Sequence, residues 1–317
     1  MARPIAFLLL ASVAIIGVSA FLWYEHDLTR AHEAASRGAR VVQTTAGPLE
    51  YATAGDGPPL LSIHGAGGGF DQGLTLAADL VGDGYRVIAP SRFGYLGTPI
   101  PADVSPASQA DAHAALLAAL SVEKAIVMGV SAGARSALEL ALRHPEKVQA
   151  LILLVPGTYA PDSPVAVNSS RGSRFAFWLV NVGADFVWWT LEKLAPDVLI
   201  RFIGVPPALV YASPKDDQDA VMSTVRSIEP LSRRFPGVNI DSTPELHRLP
   251  LESVTVPSLV VSARDDLFNT LPAAEFAAGL IPGAKLVIFE TGGHLMVGHQ
   301  REVRDLVRDF LAANIQK

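Results

Sequence analysis

The sequence predicts an α/β fold, with a mostly parallel eight-stranded sheet flanked by helices and an α-helical insertion after the sixth strand. Three observations carry this. Short apolar runs such as Leu60-Leu61-Ser62-Ile63, Ala125 to Val130 and Val148 to Val155 alternate with helical patterns, as in a parallel sheet whose crossover helices bury both faces. The pentapeptide Gly129-Val130-Ser131-Ala132-Gly133 joins one such run to an alanine-rich helical pattern. Between about Tyr159 and Pro250 the strand signal vanishes, and it returns at Ser258.

Taken in order, the chain opens on Pro4 to Tyr24, which carries no charge and is dominated by Leu, Ile, Val, Ala and Phe. At about 1.5 Å per residue, such a helix just spans a bilayer core of roughly 30 Å. Residues 1–24 therefore read as a membrane segment, either a retained anchor or a signal cut near Val18-Ser19-Ala20. Trp23-Tyr24 suit a headgroup interface, and the rest of the chain is expected outside the cytoplasm. Residues 25–40, charged and alanine-rich, read as a spacer.

Val41 to Thr45 and Leu49 to Thr53 flank Ala46-Gly47-Pro48 and form an expected hairpin. Leu60 to Ile63 is a buried strand ending in His64-Gly65-Ala66-Gly67-Gly68-Gly69, followed by a helix over Phe70 to Val81 and a strand over Arg86 to Ala89. Ser105 caps a helix with Pro106 in its first turn, running to about Leu120. The strand into Ser131, its helix ending near His144-Pro145, and the strand Val148 to Val155 come next. Helical patterns in the insertion cover Phe175 to Val182, Phe186 to Leu194 and Asp219 to Ile228. Ser258 to Ser262, Pro272 to Leu280, Lys285 to Phe289 and Arg301 to Asn314 then read as strand, helix, strand, helix. The core is thus 41–158 with 251–317, and the cap is 159–250.

Composition narrows the function. With 25 basic and 31 acidic residues the net charge is -6, and no basic cluster stands outside the termini, which argues against a nucleic-acid partner. The absence of cysteine excludes disulfides, thiolate catalysis and cysteine-ligated metals. No histidine or carboxylate pair has metal-ligand spacing, and the glycine run after His64 is not a dinucleotide fingerprint. No cofactor and no metal are expected.

With these elements placed, residues 41 to 315 resemble the α/β-hydrolases that carry a helical cap. The matching features are His64-Gly65 after the third strand, Gly129-Val130-Ser131-Ala132-Gly133 after the fifth, Arg264-Asp265-Asp266 after the seventh and Gly292-Gly293-His294 after the eighth. They follow the order Ser, Asp, His used by that fold.

The resemblance implies a serine nucleophile, Ser131, activated by His294, which a carboxylate orients. Counting from Ala263, where relatives have glycine, selects Asp266. Asp265 is one residue away, and Asp162 after the sixth strand is a third candidate. His299 lies too near the last helix, and His64 shapes the loop that follows it. The amide after the nucleophile, Ala132, and one after His-Gly, Ala66 or Gly67, would hold the oxyanion. Ser91, where many relatives have Asp, has an expected structural role. In the insertion, Trp178, Trp188 and Trp189 either build the cap's own core or line an apolar substrate pocket. The expected activity is hydrolysis of a lipophilic carboxylic ester through an acyl-enzyme. A carbon-carbon bond hydrolase, a lactonase or a perhydrolase would use the same triad, and a ligand-binding member of the fold would use none of it.

Overall fold

The computed structural model describes residues 2–161, 184–242 and 246–315. Its sheet contains β1 (Arg40–Thr44), β2 (Gly47–Ala54), β3 (Pro59–Ile63), β4 (Arg86–Pro90), β5 (Ala125–Val130), β6 (Val148–Leu154), β7 (Ser258–Ala263) and β8 (Lys285–Phe289). The spatial order is β1-β2-β4-β3-β5-β6-β7-β8. β2 pairs antiparallel with β1 and β4, and every other pairing is parallel.

β5 is the centre of the sheet and buries all six of its residues. Side chains at successive positions along these strands face opposite sides. Val127, Leu151 and Val260 meet α3 (Pro106–Ala119), α4 (Gly133–Arg143) and α10 (Leu271–Leu280), whereas Ile126, Met128 and Ile152 meet α2 (Phe70–Leu80) and α11 (Gln300–Asn314). The expected cap of α3 is present, since Ser105 Oγ accepts the Ser108 amide at 3.1 Å. Such a cap stabilises a helix by about 1 kcal/mol.

Between β6 and β7 the chain forms α5 (Asp185–Leu194), α6 (Pro196–Phe202), α7 (Pro207–Ala212), α8 (Lys215–Ser227) and α9 (Phe235–Ser242). These helices share a core of Trp188, Leu199, Ile200, Val221 and Val225, closed by Tyr95 and Val297 from the sheet domain. The helix expected over 175–182 lies outside the described residues.

Residues 25–40, read as a spacer, are mostly helical. One helix, α1 (Ala2–Ala34), runs through most of that stretch, and its second half is docked on α5. Trp189 Nε1 donates to Asp27 Oδ2 at 2.9 Å, and Lys193 Nζ lies 3.4 Å from the same oxygen. Tyr24 packs edge-on against Phe186, as Trp23 does against Trp189. Among the described residues, no helix is long and apolar enough to cross a membrane. The expected membrane segment also depends on the side chains of residues 4–10 and 13, which lie outside that description.

Candidate active site

At the end of β5 the backbone turns sharply, and Ser131 takes φ +52°. A non-glycine residue there costs on the order of 1–3 kcal/mol and persists only where its surroundings hold it. Here Ser131 donates its amide to the Leu154 carbonyl at 2.9 Å, and its carbonyl accepts from Ala134 at 3.1 Å and Gly157 at 3.0 Å. The two glycines of the motif permit the approach of helix to sheet. A Cβ on Gly129 would lie 2.5 Å from Ala137 Cβ, and one on Gly133 would lie 2.4 Å from the His64 carbonyl oxygen.

The loop after β7 presents Asp266 to the loop after β8. His294 Nδ1 is 2.9 Å from Asp266 Oδ2, with both side chains buried. The same oxygen accepts the Thr270 hydroxyl, and Oδ1 accepts the Phe268 amide at 2.9 Å. Burial alone would raise the Asp266 carboxyl, but the His294 imidazole and these donors outweigh it and hold the group below its usual range. The neighbouring carboxylate serves the backbone instead, since Asp265 Oδ1 accepts the Gly293 amide at 2.7 Å and fixes the chain beside His294. Asp162 lies outside the described residues.

The insertion takes part in this arrangement. The Gly204 carbonyl, between α6 and α7, accepts the amides of both Leu267 and His294 at 3.1 Å. Gly204 has φ +81°, and a Cβ there would fall 2.6 Å from His294 Cβ.

On the other flank of Ser131, a Cβ on Gly65 would lie 3.2 Å from Ser131 Cβ. Gly67 donates its amide to the Tyr95 hydroxyl at 3.3 Å, whereas the Ala66 and Ala132 amides have no backbone partner among the described residues. His64 shapes this loop as expected. Its Nε2 accepts the Arg92 amide at 3.0 Å, which leaves Nδ1 as donor to the Gly65 carbonyl at 2.7 Å. Burial, aided by Arg92, pushes its pKa well down, so the ring is neutral.

Beneath the loop lies a buried platform that sequence reasoning missed. Arg92 forms a bidentate pair with Asp241 at 2.8 and 2.6 Å, and Tyr95 donates its hydroxyl to Asp241 Oδ2 at 2.5 Å. Arg92 also donates to the carbonyls of His64 and Gly65, both at 3.0 Å. Arg92 and Tyr95 sit in the turn beside Ser91, where the sequence pattern singles out only the serine. Nothing in the sequence marks Asp241. Ser91 itself is structural, donating to Glu50 Oε2 at 2.7 Å and accepting the Phe70 amide at 3.1 Å.

Ala66, Ser131, Ala132 and His294 all line one cavity of about 650 Å³, with Phe268 and Arg135 also on its wall. No hydrogen bond joins Ser131 to His294 among the described residues. Catalytic hydrogen bonds commonly tighten only when substrate is bound. Trp188 and Trp189, expected either in the cap's own core or on the pocket wall, do not line this cavity. Trp188 belongs to the core of the insertion and donates to the Val225 carbonyl at 3.2 Å. Trp189 faces α1, and Trp178 lies outside the described residues. Among the described residues, no group of three or more histidines and carboxylates is placed to hold a metal.

A nucleophile-type elbow, an Asp-His pair after the last two strands and two open amides on a doubly flanked parallel sheet define an α/β-hydrolase. The model of the alpha/beta hydrolase fold family matches residues 58–298, and the chain belongs to that family. It is 28% identical over 270 residues to a 2-hydroxymuconate semialdehyde hydrolase of Pseudomonas putida, covering 81% of this chain and 88% of that one. It is 30% identical over 259 residues to a pimeloyl-[acyl-carrier protein] methyl ester esterase of Aromatoleum aromaticum, covering 80% and 98%. An alpha/beta hydrolase fold protein from Nakamurella multipartita superposes with a TM-score of 0.68 at 28% identity, over 87% and 99% of the two chains. The protein is a hydrolase.

Proposed function

We propose that the protein cleaves a carboxylic ester through an acyl-enzyme on Ser131. The observation that carries this is the buried Asp266–His294 pair opening on the same cavity as Ser131 and the unpartnered Ala66 and Ala132 amides. Ser131 Oγ attacks the ester carbonyl while His294 Nε2 takes its proton. The carbonyl oxygen becomes the oxyanion and accepts from the two amides, each worth about 3–4 kcal/mol of barrier. Collapse expels the alcohol, which leaves with the proton from His294. Water then gives its proton to His294 and attacks the acyl carbon, and Ser131 departs with that proton. Asp266 keeps Nδ1 protonated throughout.

The 28% likeness to a 2-hydroxymuconate semialdehyde hydrolase supports a second reading, carbon-carbon bond hydrolysis with the same groups. A fluorophosphonate probe and p-nitrophenyl esters of increasing acyl length separate the two. Labelling of the folded parent but not of Ser131→Ala, together with ester turnover, is the expected result. Labelling without turnover favours the second reading, and no labelling of folded protein overturns both.

We place the catalytic core at 41–158 and 251–317 and the cap at 159–250, and we assign α1 to contact with a membrane, with the core outside the cytoplasm. Ile15, Ile16, Val18, Phe21 and Leu22 support this by leaving more than half of their surface exposed, an unusual apolar run for water. Recovery of the full chain in the soluble fraction after cell lysis would overturn the assignment.

A further inference from the structure

The platform under the nucleophile has one positive charge more than it needs. Arg92, Arg135 and Asp241 are all more than nine-tenths buried, and Asp241 is the carboxylate the two guanidiniums share. Its oxygens are committed to Arg92 and Tyr95. Arg135 reaches only to 3.7 Å from Asp241 Oδ1 and otherwise spends its donors on carbonyls, Nε on Gly157 at 2.8 Å and Nη1 on the Asp241 backbone at 3.3 Å. Its Nη2 has no partner among the described residues. A buried cation with so little compensation is expensive to keep.

Its position gives the charge a use. Arg135 stands one helical turn after Ser131 and lines the same cavity. Gly157 links the two, donating its amide to the Ser131 carbonyl and accepting Arg135 Nε. The guanidinium is therefore held on the β6 flank of the nucleophile, away from the Ala66 amide at the end of β3. Asp79, Asp216 and Asp217 also line the cavity, from α2 and α8, and Arg301 and Arg304 line it from α11, so Arg135 is the lining cation that stands next to the nucleophile in the chain.

We propose that Arg135 is the seat for a carboxylate carried by the substrate, so that the enzyme selects esters bearing a second, ionised carboxyl group. The charge count favours a monoanion: one carboxylate neutralises the excess, whereas a phosphate monoester, carrying nearly two charges at neutral pH, would reverse it. The two N–H groups of Nη2 offer the charge-assisted bonds that a carboxylate accepts best. Unlike a hydrophobic acyl pocket, such a seat rejects the uncharged analogue, because its own charge would then stay buried and unpaired.

This inference rests on the ester reading of the same site, and the test separates the two. Turnover of monomethyl adipate and of methyl hexanoate, which match in length and differ in charge, is compared in the full-length parent, Arg135→Met and Arg135→Lys, each checked for cooperative melting. Loss of one charge-assisted bond predicts that the ratio of kcat/KM values, anionic over neutral, falls by at least about fivefold in Arg135→Met, chiefly through KM, and recovers partly in Arg135→Lys. A smaller fall overturns the proposal. Binding of monomethyl adipate to Ser131→Ala, measured by calorimetry, adds an arm that needs no turnover. Binding that is abolished in Ser131→Ala/Arg135→Met upholds the seat even if neither ester is cleaved, a result that would sink the ester reading alone. Equal binding to the two proteins overturns the seat.

Discussion

The platform under Ser131 and the junction between α1 and the insertion both bury charge, and they do so in opposite ways. At the platform, cations outnumber the carboxylate. Burial would raise Asp241, but Arg92, Arg135 and Tyr95 hold it ionised and below its usual range. At the junction Asp27 and Glu192 pair with Lys193 and Arg226, and Asp185 and Glu229 add two more carboxyls nearby. There the Glu229 carboxyl has no hydrogen bond among the described residues, and burial with Glu192, Asp185 and Asp27 nearby raises its pKa to about 8. Near the reacting atoms the protein fixes charge by geometry, and at the junction it retains a proton instead.

The largest effect is expected on the other flank of Ser131, at the buried Asp266–His294 pair, where the proposed mechanism has one carboxylate orient the base. Asp266→Asn should lower kcat by about three to four orders of magnitude, since the amide presents a donor to Nδ1 and selects the wrong tautomer. Asp265→Asn, whose carboxylate accepts the Gly293 amide, should cost no more than about tenfold. Steady-state rates on one ester check both, and equal losses would mean that the two acids share the work.

Asp241→Asn should come next in size. It leaves Arg92 and Arg135 buried without a counter-ion, and removing one partner of a buried pair costs about 3–5 kcal/mol. The urea midpoint reads this directly. A loss below about 1 kcal/mol would show that water reaches the platform.

Glu229→Gln tests the other side of the comparison, with the opposite sign. An acid whose folded pKa is raised keeps its proton in the native state while the unfolded chain has lost it, so its contribution to stability declines as pH rises from about 4.5 to about 8. The slope is at most ~1.4 kcal/mol per pH unit for one proton. Glutamine, which resembles the protonated acid, should therefore stabilise the protein increasingly above pH 5 and change nothing below it. Thermal unfolding between pH 4 and 9 checks this, and parallel curves for the two proteins would show Glu229 ionised in the native state.

The two regions also differ in how far the sequence revealed them. The positions of Ser131, Asp266 and His294 at strand ends were legible, the first from glycines where helix crosses strand at 129 and 133, the other two from the resemblance to α/β-hydrolases, which also supplied the count from Ala263. The open amides were half legible, since only the Tyr95 hydroxyl under Gly67 decides between Ala66 and Gly67. Asp241 was invisible because its partners come from β4's turn and α4, far apart in the chain. α6, α7 and α9 span 7, 6 and 8 residues, too short for a 3.6-residue period to show. Trp189 misled for a related reason: an aromatic side chain gives no sign of which neighbour it will meet, and here the neighbour is α1.

That contact supplies the smallest effect. Trp189→Phe keeps an aromatic ring against Trp23 and Tyr24 but removes the donor to Asp27. Burial raises Asp27, and the Trp189 bond followed by Lys193 brings it below its usual value. Losing that bond should cost about 1 kcal/mol. Because Lys193 still holds Asp27, the loss should fall on the docking of α1 more than on the whole fold. Amide exchange over residues 23–34 should then accelerate about fivefold while the strands of the sheet keep their protection. If exchange in β5 accelerates equally, α1 belongs to the same cooperative unit as the catalytic core, and the junction is as integral to the fold as the platform.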